Sequence, residues 1–137
     1  MIISFWRNYR FMKIRMISNS VRLRLRKSDL AELEQTRLIE DKVHFPGNHH
    51  FVFALSISED DYIDASYNKE RLLISIPNIT AMNWINSPDV GIEKQIIIND
   101  VNTLHILIEK DFPCLDREEE NKEDTFWELS EEEPKTC

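Results

Sequence analysis

The segment Val21-Arg22-Leu23-Arg24-Leu25-Arg26 constrains the fold most, because apolar and basic residues alternate with period two and run directly into Lys27-Ser28-Asp29-Leu30. Successive side chains of an extended strand point to opposite faces, so Val21, Leu23 and Leu25 share one face and Arg22, Arg24 and Arg26 the other. Ser28 with Asp29 supplies side-chain oxygens of the kind that cap a helix start. A half-buried strand feeding a helix is therefore expected, with its arginines outward.

The neighbouring segments extend this pattern. Met12 to Ile17 reads as a strand joined through Ser18-Asn19-Ser20 to the arginine strand. Leu30 and Leu33 place a helix of two to three turns before Thr36 or Arg37. Lys42 to Phe45 reads as a strand, Pro46-Gly47-Asn48 as a turn, and Phe51, Phe53, Leu55 and Ile57 as the inward residues of a core strand. Ser58 to Asp61 is an acidic turn. Tyr62 to Tyr67 and Leu72 to Ile76 form the next hairpin through Asn68-Lys69-Glu70. Pro77 ends that strand, Thr80 is the expected N-cap, and Met82, Trp84 and Ile85 belong to a short helix stopped by Ser87-Pro88. Gln95 to Ile98 and Thr103 to Lys110 complete a last hairpin across a polar turn.

At an offset of 51 residues Val21, Leu23 and Leu25 fall on Leu72, Ile74 and Ile76, and Phe53, Leu55 and Ile57 on Leu104, Ile106 and Ile108. Only the pattern repeats, since identity in this register is negligible. The fold class expected is α+β, an antiparallel β-sheet or small barrel of about 7–8 strands with two short helices and a pseudo-two-fold duplication.

With 137 residues, one compact domain is the expected organisation, and two glycines exclude a Gly-rich phosphate loop. Residues 1–11 read as an N-terminal extension, either a loose arm or a misassigned start, because they have neither the long apolar run of a signal peptide nor the length of a membrane span. The domain is placed at residues 12–115 and a disordered acidic tail at 116–137. Through Lys27 there are eight basic residues and no acidic one, whereas from Asp116 onward ten acidic face three basic. The two ends should attract each other, and the net charge of −8 argues against a dedicated nucleic-acid binder. Two cysteines, Cys114 and Cys137, give no disulfide framework and no zinc spacing, which points to a reducing, cytoplasmic setting.

Several residues are weighed for chemistry. Arg22, Arg24 and Arg26, with Arg15 across the hairpin, suit phosphates or a carboxylate-bearing partner. They equally suit edge protection and pairing with acidic neighbours such as Asp64, and this structural use takes precedence. His44, His49 and His50 flank the Pro46-Gly47 turn without metal-ligand spacing and read as a solvated turn, as does the cluster Glu59-Asp60-Asp61. His105 reads as an ordinary strand residue. Cys114, between Phe112 and Leu115 and beside Asp111 and Asp116, reads as inert packing. Phe126, Trp127 and Leu129 are the apolar group of the tail, available for docking or for a partner.

The stretches MKIRMISNSVRLRLRKSDLAELEQT from Met12, ISIPNITAMNWINSPDVGI from Ile74 and EKDFPCLDREEENKED from Glu109 resemble a family of small bacterial proteins of unknown function. The resemblance implies no activity, and it implies that Met12 matches the usual start. Ile74-Ser75-Ile76-Pro77 before a helix also resembles the strand-to-helix turn of swapped-hairpin, AbrB-like barrels, without their glycine-centred turn. The expected function is a non-enzymatic interaction module with no cofactor or metal and no membrane. It would bind an unknown protein partner or itself, with Arg15, Arg22, Arg24, Arg26, Phe126 and Trp127 as the candidate interaction residues. Two alternatives stand beside it: a small-ligand or metal-dependent enzyme with a site in a barrel mouth near His44, His49 and Glu59 or around Arg22 and Arg24, and nucleic-acid binding through the basic hairpin.

Overall fold

Two passes of hairpin, helix and hairpin make up the chain in a computed structural model that describes residues 12–112 and 124–130. The first pass is β1 (Lys13–Ile17), β2 (Ser20–Leu25), α1 (Lys27–Thr36), β3 (Leu38–Phe45) and β4 (His49–Ser58). The second is β5 (Asp64–Asn68), β6 (Arg71–Pro77), α2 (Asn78–Ile85), β7 (Gly91–Ile97) and β8 (Thr103–Lys110). Both helices and the period-two alternation stand where the sequence places them. Residues 1–11, Cys114 and most of the acidic tail lie outside the described residues.

The expectation of one antiparallel sheet or a barrel is corrected. The strands form two four-stranded mixed sheets, ordered β1-β2-β8-β7 and β3-β4-β6-β5. Each sheet joins a first-type hairpin from one pass to a second-type hairpin from the other, and among the described residues no strand pairing links the two sheets into a barrel. Within every hairpin the strands are antiparallel, but the central pairs β2–β8 and β4–β6 are parallel. Two reversals explain this for β4 and β6: the chain turns back into the edge strand β5, turns again, and inserts β6 beside β4 with its direction restored. Turn residues cannot reveal that insertion. It also removes Asp64 from the neighbourhood of the arginines, since β5 lies in the other sheet.

The register repeats in detail. β1 and β5 lie 51 positions apart, as do their two-residue turns Ser18-Asn19 and Lys69-Glu70, in which all four residues have positive φ. That conformation matches the twist of the flanking strands in a tight hairpin. The second hairpins are related by 53 positions, since Ile39 pairs with Leu55 and Ile92 with Ile108. The additional residues fall in the loop between α2 and β7. Connecting hydrogen bonds follow the same relation: the Asn19 carbonyl accepts from His105 N–H at 3.1 Å and the Glu70 carbonyl from Val52 N–H at 2.9 Å.

One hydrophobic cluster draws on both sheets and both helices, with Leu23, Leu55, Ile74 and Ile108 fully buried. Leu33 of α1 and Trp84 of α2 enter it from the helices. Asp29 supplies capping chemistry as expected, but from inside the first turn, and neither Ser28 nor Thr80 is the N-cap residue. α1 is capped at Arg26, whose backbone N–H donates to Asp29 Oδ2 at 2.8 Å, and α2 at Pro77. The helices start immediately after their strands, so Ser28 and Thr80 already lie within the first turn. At the start of β7, Gly91 admits the Ile108 carbonyl, which would stand 2.6 Å from a Cβ there.

Candidate interaction surface

The alternation in β2 assigns faces correctly but not exposure. Leu23 and Leu25 are buried on the core side, while Arg24, on the opposite face, is also buried, at 7% exposure. Arg24 Nε lies 3.9 Å from Asp111 Oδ1, and its guanidinium lies over the Phe112 ring, 4.7 Å from the centroid. Lys13, directly opposite Arg24 on β1, pairs with Asp111 Oδ2 at 3.1 Å. Arg22 Nε pairs with Glu109 Oε1 at 3.1 Å. The residues that close the β8 end thus neutralise the row, a contact that needs β8 beside β2 and is invisible to a local reading. Arg26 leaves the row altogether because the chain turns into α1 there. Only Arg15 keeps an exposed position without an ion pair among the described residues, and it faces Arg22 across the hairpin.

The two poles of the enzymatic alternative do not converge. His49 opens β4 and Glu59 follows its last residue, a separation of roughly 30 Å along an extended strand of 10 residues. Glu59 pairs with Arg37 Nη2 at 3.0 Å, and Arg37 Nη1 donates to Asn78 Oδ1 at 2.9 Å. At the other end His49 Nδ1 lies 3.0 Å from Glu70 Oε1, and the His50 backbone N–H donates to Glu70 Oε2 at 3.3 Å. His44 and His50 pair across the β3–β4 hairpin, ring centroids 6.3 Å apart. Among the described residues no group of three or more His, Cys, Asp or Glu is arranged to hold a metal.

The hydrogen bond with His49, then that from the His50 backbone, holds the Glu70 carboxyl below its ordinary value of 4.5. A carboxylate depressed in the folded state adds stability above its unfolded value and loses it as pH falls through the folded one. Glu70→Gln is accordingly expected to flatten the acid limb of a thermal-melting profile below about pH 4.5. Melting both proteins across that range checks this.

An unsatisfied face appears instead on the core side of the β3–β4 hairpin, beyond the part the other sheet and the helices cover. Val43 pairs with Phe51 across the hairpin, and the Phe51 ring lies 5.9 Å from Phe53 and 6.3 Å from Tyr67. Phe53 is buried, but Val43 is 43%, Phe45 53% and Tyr67 65% exposed. The strip is contiguous and aromatic, the composition that marks association surfaces. It was legible only as core, because Phe51 continues the alternation of Phe53 and Leu55. The usable signal was the position of Phe45 and Phe51 within a few residues of the Pro46-Gly47 turn, where a hairpin outruns its support.

In the tail, Trp127–Ser130 form a 3-10 turn with Phe126 and Leu129 exposed, while the Trp127 side chain lies outside the described residues. No helix among the described residues is long and apolar enough to cross a membrane. Residues 12–129 match a family of unknown function, DUF7009. No curated protein matches the chain.

Proposed function

We propose that this chain, which belongs to that family of unknown function, is an association module that works by contact rather than by chemistry. Residues 12–115 act as one domain, a reading supported by the single hydrophobic cluster that joins both sheets, and 116–137 as its acidic tail. The observation that carries the proposal is the exposed strip of Val43, Phe45 and Tyr67 around Phe51. Burying such side chains gains roughly 25 cal/mol per Å² of apolar area removed from water. The acids that occupy Arg22 and Arg24 leave little free positive charge for a nucleic-acid backbone.

A photo-crosslinking residue at Tyr67 tests the reading against one at Ser66, the neighbouring exposed position on the opposite face of β5. Illumination in the living source cells is expected to yield a crosslinked adduct from position 67 and none from position 66. Absence of an adduct at both positions would remove the proposal.

A further inference from the structure

The relation between the two passes places a second strip on the other sheet. Shifted by 53 positions, Val43, Phe45 and Phe51 become Ile96, Ile98 and Leu104. Shifted by 51, Tyr67 becomes Met16. Ile96 and Leu104 are cross-strand partners and partly buried, while Ile98 and Met16 are more than half exposed. The chain therefore carries two apolar strips, one at the overhanging end of each sheet, built from equivalent positions.

Their flanking charges differ in sign. Asp41 lies on the core side of β3, paired with Phe53, and its equivalent on β7, paired with Ile106, is Lys94. Both are on edge strands, and neither has an ion-pair partner among the described residues. Like charges set against each other across an interface disfavour it, whereas opposite charges select the partner. Two β3–β4 strips brought together would gather two aspartates at one apolar surface, and two β7–β8 strips two lysines. A β3–β4 strip on a β7–β8 strip sets opposite charges beside apolar surface on both sides.

We infer that the occupant of the β3–β4 strip is the β7–β8 strip of a second copy of this chain, held by the Phe45 and Ile98 surfaces with Asp41 facing Lys94. This rests on the association reading and names its partner. Such an interface joins two different patches, so each copy retains one free strip and assembly continues into a ring or an open series.

Sedimentation of the full chain over a wide concentration range tests it, with Phe45→Asp and Ile98→Asp as single variants. Both positions are exposed, and unchanged circular dichroism verifies folding. The unaltered chain is expected to gain mass with concentration beyond two copies, and each variant alone is expected to associate at least tenfold more weakly. Mixing the two variants pairs the one intact strip of each, and the mass should rise and stop at two copies. Asp41→Lys should weaken association, and the combination with Lys94→Asp should restore it. A chain that stays monomeric at every concentration, a Phe45→Asp variant that still self-associates fully, or a mixture that does not pair would overturn the inference. If the adduct from position 67 contains a different protein while the chain alone remains monomeric, the association reading stands and the second-copy assignment falls.

Discussion

Trp84→Ala is expected to destabilise the fold by about 3–5 kcal/mol. Trp84 projects from α2 into the cluster shared by both sheets and is 2% exposed. Its Nε1–H also donates to the Val90 carbonyl at 3.1 Å, and the same carbonyl accepts the Lys110 backbone N–H at 2.8 Å. The indole thus fills the interior and also fixes the loop residue that ties the start of β7 to the end of β8. Trp84→Phe separates the two contributions, because it keeps most of the ring volume and removes the donor, for an expected loss of about 1–2 kcal/mol. Equilibrium urea denaturation of the three proteins measures both. Net stabilities of small domains are about 5–15 kcal/mol, so the alanine variant should lose a large share of the total. Equal losses for the two variants would assign the role of Trp84 to its hydrogen bond alone.

Trp84 also marks how far local sequence signals reach. Its helix, the strands and the 51-residue repeat are legible because they depend on periodicities of a few residues and on turn chemistry. Its position in the repeat coincides with Leu33 of α1, which is also fully buried. What the pattern does not carry is partnership between distant strands. β2 lies beside β8 and β4 beside β6, and neither partner is specified by a periodicity or by turn chemistry within either strand. The acidic partners of the arginines fall in that gap. Arg24 has the right face and the wrong exposure, since Asp111 and Phe112 reach it only through the parallel pairing of β2 and β8. The apolar strip at Phe45 and Phe51 was hidden for a related reason. Alternation reports which side of a strand is apolar, whereas coverage depends on how far the opposing elements extend.

Asp111→Ala should be costly where Arg24→Met is not. Among the described residues Asp111 is the carboxylate paired with Arg24, which is 7% exposed, and it also pairs with Lys13. Removing it strands a buried guanidinium, a loss of about 3 kcal/mol at the lower end for a broken buried pair, because Asp111 is itself 16% exposed. Arg24→Met removes the charge together with its desolvation cost and keeps an unbranched stem against Phe112. Its expected effect is within about 1 kcal/mol of neutral. The double variant should then lie close to Arg24→Met and well above Asp111→Ala, a coupling that a double-mutant cycle in urea reads directly. A binding role for Arg24 predicts the opposite pattern, with Asp111→Ala harmless to stability and Arg24→Met losing a ligand. The cycle therefore separates an arginine held by its own chain from one presented to a partner. The buried position of Arg24, its ion pair and its place over an aromatic ring favour the first.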